Sequence, residues 1–334
     1  MKPHGGFCFC LLSGSPAEMV DFEYLHQGIA GLANAHPLGT MSGHLGAAVA
    51  AGYFIGEDHP DLSITVTGGI ESELDRVLKG EEAIWFDVKK TGMQPAELFK
   101  TGPKQSAVPG RIQDVAAALG GNVATLKQSG HNVIFASIAI RALRSHEQYA
   151  TPWAIDGICK LIKKFDRVSS GRGYFGKKNG WKTANKVTLS GVAQVKPYRS
   201  IQEMIDLTMV ELIEGSSVKT QGFGGYWHLI NHAAGIIELD RLGYQALAKS
   251  ALPAHRQHMQ LIRALPDLSE ELGRVKSSEH DPLVDEYWSE ELARGGATLT
   301  HRVKTIYGFH VLRRHVEDAA VRVKADESFK NLMD

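Results

Sequence analysis

Four histidines share one setting: each stands at the start of a strongly apolar stretch with helical spacing, just behind a break rich in glycine, serine or threonine. They are His44 in Ser42-Gly43-His44-Leu45-Gly46-Ala47, His131 in Ser129-Gly130-His131-Asn132-Val133, His228 in Gly224-Gly225-Tyr226-Trp227-His228, and His301 in Thr298-Leu299-Thr300-His301-Arg302. Neutral imidazole is the commonest transition-metal ligand and titrates near neutral pH. Imidazoles that converge from distant parts of a chain therefore point to a metal centre or to acid–base catalysis. His228 and His232 form an i, i+4 pair on one helical face, a spacing that lets two imidazoles bind one ion. There is no HExxH motif, so a zincin-type peptidase is not supported. His301 and Lys304 share a face at i, i+3, and a lysine aimed into an apolar cavity has its ammonium form penalised by desolvation. The ordinary reading of each residue alone is a hydrogen-bonded core histidine or a snorkelling lysine. A further physical point opposes a bare cation, because helix N-termini carry partial positive charge. An anionic ligand, a bound oxygen species or a substrate oxyanion would offset it.

The elements that must position these residues are helices. Helical spacing predicts segments near 18–34, 44–56, 62–79, 111–119, 131–146, 153–165, 201–214, 226–240, 242–264, 284–294, 299–316 and 318–332, while strand-like alternation is rare. Boundary chemistry agrees: Asp61 and Asp114 are acids of early turns, Pro152 and Pro282 precede helices, and Gly80 and Gly215 follow charged last turns. This is an all-α chain of roughly twelve helices in antiparallel pairs, toroid- or bundle-like, forming one domain over 1–334. The four histidines lie about 70 to 100 residues apart, and at roughly 40 residues per hairpin each interval holds about two hairpins. Inner helices of a ring would then aim their imidazoles at a shared centre. Residues 1–17 read as a leader. Residues 166–200, with Gly171-Arg172-Gly173-Tyr174-Phe175-Gly176, break the helical pattern and read as a loop or small hairpin, an insertion that serves as a lid or lines the substrate site.

Composition narrows the class. The chain has 334 residues, 43% hydrophobic and 22% charged, enough for a large core. Lys plus Arg and Asp plus Glu each total 37, which removes the electrostatic reason to expect nucleic acid or an anionic membrane as partner and favours self-association as a homodimer. Cys8, Cys10 and Cys159 provide neither a disulfide framework nor a zinc motif, and the setting expected is cytoplasmic. Phe7 to Leu12 is too short an apolar run for a signal peptide or membrane span.

Other motifs are weaker. The formal GxGxxG at 171–176 has no strand before it and no helix opening from it, so a Rossmann-type dinucleotide site is not expected, and the nearby Lys177, Lys178 and Lys182 read as a solvated loop. Glu279-His280-Asp281-Pro282 reads as a helix-entry turn. His255 and His258, with Arg256 and Arg263, read as a solvated helix face.

The run Gly224-Gly225-Tyr226-Trp227-His228-Leu229-Ile230-Asn231-His232-Ala233-Ala234-Gly235-Ile236-Ile237-Glu238-Leu239, followed by Tyr244-Gln245-Ala246-Leu247-Ala248, resembles the questin oxidase-like family. There, a His-x-x-x-His-x-x-x-Gly-x-x-Glu run precedes a similar Ala-Leu-Ala stretch. His44-Leu45 through Tyr53-Phe54-Ile55-Gly56 is similar to that family's N-terminal helix. The likeness covers these segments and, loosely, the last fifty residues. It implies an all-helical, non-haem iron oxygenase performing oxidative C–C cleavage or Baeyer–Villiger-like oxidation of a small aromatic, polyketide-like substrate. It further implies several histidine ligands and a carboxylated lysine. His44 and His232, and less closely His228, fall on family histidines, and Lys304 beside His301 is the candidate for the modified lysine. Gly43 replaces the usual Asn, and Ala47-Ala48 stand where further histidines follow in the family, so the metal set would differ. The expectation is Fe(II) held by His44, His131, His232, His301 and Lys304, with His228 as alternate ligand or base. Dioxygen would be co-substrate, and no sequence feature supports NADPH. The alternatives are a metal-free isomerase, cyclase or lyase using His228 and His232 as acid and base, and a small-molecule binding protein with structural histidines.

Overall fold

The structure, a computed structural model, describes residues 19–85, 88–290, 292 and 297–334; the expected leader, with Cys8, Cys10 and the Phe7–Leu12 run, lies outside them. The chain runs through α1 (Phe22–Asn34), α2 (Gly43–Asp58), α3 (Ile64–Leu78), the short α4 (Val88–Thr91) and α5 (Pro95–Leu98), α6 (Ile112–Gly120), α7 (His131–Ser145) and α8 (Pro152–Lys164). A hairpin of β1 (Arg172–Tyr174) and β2 (Trp181–Thr183) encloses one turn, α9 (Gly176–Asn179). Then come α10 (Ile201–Gly215), α11 (Gly225–Arg241), α12 (Gln245–Arg263), α13 (Ser269–Leu272), α14 (Asp285–Ser289), α15 (Thr298–Arg313) and α16 (Ala319–Phe329). The fold is all-α, as helical spacing predicts. Several expected helices are shorter than read, α12 and α14 among them: α12 waits for a turn at Gly243, whose φ is +93°, and α14 ends where Glu290 turns extended. Among the described residues no helix is long and apolar enough to cross a membrane.

Two kinds of helix are present. Several outer helices begin under their own capping side chains: Asp21 accepts from Glu23 N (2.8 Å) at α1, Ser63 from Val66 N (3.2 Å) at α3, and Ser200 from Glu203 N (3.1 Å) at α10. The helices carrying the four histidines have no such cap from the residue before them. They are also buried nearly all round: every residue from 43 to 56 in α2, 131 to 143 in α7 and 299 to 312 in α15 is enclosed. A helix without a polar face belongs in the core, and this is why amphipathic stripes are missing from these segments. Small residues permit the close approach this demands. At the α1–α2 crossing a Cβ on Gly46 would stand 2.3 Å from Leu32 N.

The four buried helices close a ring, α2 against α7, α7 against α11, α11 against α15, and α15 against α2. Their contacts run in register from start to end. His44 meets His131 at the start of α2 and α7, and Arg141 meets Asp58 (2.6 Å) at their ends. His228 meets His301 at the start of α11 and α15, and Asn231 meets Thr305 one turn on. The four inner helices are therefore parallel, and all four N-termini lie at one end. Around them α1, α3, α6, α10, α12 and α16 form an outer layer. Neighbours in sequence form antiparallel hairpins, for example α1 and α2, where Gly28 lies against Ala50 and Gly31 against Gly46.

The insertion contains the small hairpin expected of it. Residues 169–174 run between the loops that precede α7 and α11 and hydrogen-bond to both. Gln128 N and Ser129 N donate to Ser169 O (2.8 Å) and Ser170 O (3.0 Å), while Phe223 N donates to Arg172 O (2.8 Å) and Tyr174 N to Gln221 O (2.8 Å). Phe175, Val187 and Leu189 then pack on a second apolar cluster with Phe223, Leu229 and Met259. It clamps two loops of the core.

Candidate metal centre

At the N-terminal end of the ring, His44, His131, His228 and His301 come together, all buried. His131 Nε2 lies 2.6 Å from His44 Nε2 and 2.9 Å from His228 Nε2, and His228 Nε2 lies 3.2 Å from His301 Nε2. His44, His131 and His228 each offer a ring nitrogen within 4.8 Å of the others, a set that could hold a metal ion.

The backbone settles which nitrogens face inward. His131 Nδ1 meets Gln128 O, His228 Nδ1 meets Gly224 O (2.8 Å), and His301 Nδ1 meets Ala297 O (2.7 Å). A carbonyl only accepts, so each Nδ1 carries the hydrogen and each Nε2 presents a lone pair. This is the outer hydrogen bond that fixes the tautomer of metal-ligating histidine. Two of these carbonyls sit in unusual backbone. Gln128, Ser129 and Gly130 have φ of +40°, +59° and +87°, and Phe223, Gly224 and Gly225 have +47°, +76° and +58°. Such left-handed runs are strained for non-glycine residues and persist where the surroundings hold them. Here they turn Gln128 O and Gly224 O back onto the imidazoles.

Three lone pairs aimed at one another repel unless a proton or cation lies between them. A proton is disfavoured: burial pushes His228 from 6.5 down to about 3, and burial with neighbouring cationic groups holds His44, His131 and His301 well below the usual imidazole range. Lone-pair donors that resist protonation are suited to a metal ion. His44 is oriented differently, its Nδ1 3.1 Å from Lys304 Nζ, which also donates to Thr300 O (2.5 Å). Lys304 is 1% exposed, and burial lowers its pKa from 10.5 to about 7, with Glu82 opposing.

Residues without a signal in the sequence complete the site. Buried Glu82 accepts from Leu299 N (2.6 Å) and Thr300 N (3.0 Å), placing a carboxylate on the N-terminus of α15 and offsetting part of the positive potential there. Trp85 stacks on His44 (3.8 Å, 8°) and Trp227 on His301 (4.9 Å, 20°). Only distance in the chain hides Glu82 and Trp85 from sequence reading. A cavity of about 430 Å³ opens onto His228 and His301, with Trp227, Leu272, Val275 and Leu332 as apolar wall and Lys219 and Gln221 as polar wall. No residue of 166–200 lines it. A larger cavity, about 850 Å³, lies between α1 and α3 and has no histidine in its wall.

Of the residues singled out by sequence, His44, His131, His228, His301 and Lys304 meet, while His232 does not join them. Its Nδ1 lies 3.4 Å from His258 Nδ1, so the i, i+4 spacing with His228 serves two different clusters. The expectation that His255 and His258 form a solvated face is overturned: both have zero exposure, because α12 packs this side against α11. The 171–176 glycines form β1 and its turn, and Lys182 lies over the Phe175 ring (4.8 Å). Asp281 caps Leu283 N (2.8 Å), as a helix-entry turn requires, and Glu279, His280 and Glu290 form a further, more exposed ligand-like group. Compared with protein-family models, curated proteins and solved structures, the chain matches none.

Proposed function

We propose that this protein is a non-haem iron oxygenase acting on a small aromatic substrate by oxidative C–C cleavage or Baeyer–Villiger-like oxidation. His44, His131, His228 and His301 hold Fe(II), and Lys304 acts as its carbamate or as the amine that orients His44. The observation that carries this reading is the convergence of Nε2 lone pairs with the opposite nitrogens pinned to backbone carbonyls. Imidazoles with one hard oxygen donor suit Fe(II), and iron so held supplies activation of dioxygen. Substrate specificity, in this reading, comes from the cavity beside His228 and His301, where Trp227 and the apolar wall accept a flat ring and exclude water. The lowered pKa of Lys304 leaves a neutral amine, the form whose lone pair adds to carbon dioxide. His232 is replaced by His228 in the proposed ligand set, since its ring faces His258.

The test is metal analysis of protein purified without chelator and reconstituted with Fe(II) under anaerobic conditions. We expect one iron per chain, lost in His131→Ala and retained in His280→Ala. A reconstituted wild type without iron would sink the reading and favour metal-free acid–base chemistry.

A further inference from the structure

The histidines outside the centre, His232, His255 and His258, form a second buried layer whose hydrogen positions are also set by the backbone. His258 Nε2 meets Phe223 O (2.7 Å), so it carries the hydrogen and leaves His258 Nδ1 with a lone pair. His232 Nδ1 therefore donates to His258 Nδ1 (3.4 Å). His232 Nε2 is left bare and buried, with no hydrogen-bond partner. The His232 ring also lies on Gly130, where a Cβ would stand 2.6 Å from His232 Cγ.

We propose that His258 and His232 are positioning residues for the metal centre, tying together the two left-handed loops whose carbonyls fix His131 and His228. The inference rests on the metal-binding reading of the four histidines. Phe223 is a bulky residue at φ +47°, held from one side by Arg172 O on its N–H and from the other by His258 on its carbonyl. The next carbonyl, Gly224 O, is the one that takes the His228 proton. His232 bears on the other loop through Gly130, one residue before His131. If the His258 bond to Phe223 O is lost, the peptide is free to relax out of the left-handed region. Gly224 O then no longer faces His228, and the Nε2 lone pair loses its fixed aim. His255 reinforces the same side by donating from Nε2 to Leu229 O (3.2 Å), the residue after His228, and accepting from Tyr198 Oη (3.1 Å) at Nδ1.

The experiment uses the full chain with Co(II) as probe. His258→Phe fills the volume without a donor, and His258→Gln restores an N–H for Phe223 O. We expect His258→Phe to weaken Co(II) binding about 10- to 100-fold and to alter the visible cobalt bands, while His258→Gln restores affinity and spectrum towards wild type. Unchanged affinity and spectrum in His258→Phe would overturn the proposal. A wild type that binds no Co(II) would overturn the metal reading beneath it. Should His258→Phe fail to fold, nitrogen-15 spectra of the metal-free wild type decide the matter: His258 must carry its hydrogen on Nε2 and His232 on Nδ1. The reverse tautomers would overturn the proposal.

Discussion

At the residue scale, what matters is which ring nitrogen carries hydrogen and what the fold charges for a second one. Burial depresses the pKa of His228 and His255 to about 3 and of His258 to about 4, against 6.5 in an unfolded chain. Between those values the unfolded chain binds protons that the folded one refuses, so stability falls as pH drops below 6.5. We expect the metal-free protein to lose stability steeply between pH 6.5 and about 4, with uptake of several protons, measurable by urea unfolding across pH. Lys304 works in another window. Its folded pKa of about 7 lies below 10.5, so the unfolded chain holds the extra proton between them and stability rises with pH across that range. Lys304→Met should remove this rise, read from urea midpoints at two pH values in carbonate-free buffer. An unaltered slope would mean that Lys304 keeps its charge when folded.

At the element scale, the inner helices begin with geometry in place of capping side chains. Gly224 stands at φ +76°, and a Cβ there would meet His228 Nδ1 at 2.0 Å. Gly224→Ala is expected to destabilise the protein by about 1–3 kcal/mol through backbone strain and to cost metal affinity as well. Gly110→Ala, with open space around it, is the control for both. The longer helices were legible in the sequence, because apolar spacing and helix-breaking residues are local, while the single-turn α4, α5, α9 and α13 were not, because four residues carry no periodicity. The 166–200 segment reads as a loop or small hairpin, but its partners, the loops before α7 and α11, are far away in the chain.

At the scale of the whole molecule, four parallel helices align their dipoles, positive ends at the histidines and negative ends opposite. Arginines occupy the negative end: Arg141 binds Asp58 (2.6 Å) and Glu57 (2.8 Å), its guanidinium 4.0 Å over Phe54, and Arg314 binds Asp58 (2.8 Å). Cations at helix C-termini are favoured by the same field that disfavours a bare cation at the other end. Arg141→Leu should destabilise the protein by about 3 kcal/mol, because it strips a partner from the largely buried Asp58. Metal content of the folded fraction should be unaffected. Equal loss of metal would mean that the two ends are coupled.

The sequence by itself determined that the chain is helical, where most helices start, and that His44, His131, His228 and His301 occupy equivalent positions on four of them, since spacing and caps are properties of neighbours along the chain. The tertiary structure alone decided that these helices run parallel, that His228 joins the centre while His232 turns to His258, and that Glu82 and Trp85 attend it. Which face of a fully apolar helix meets which neighbour is not written in periodicity. It is fixed by the packing of all four helices together.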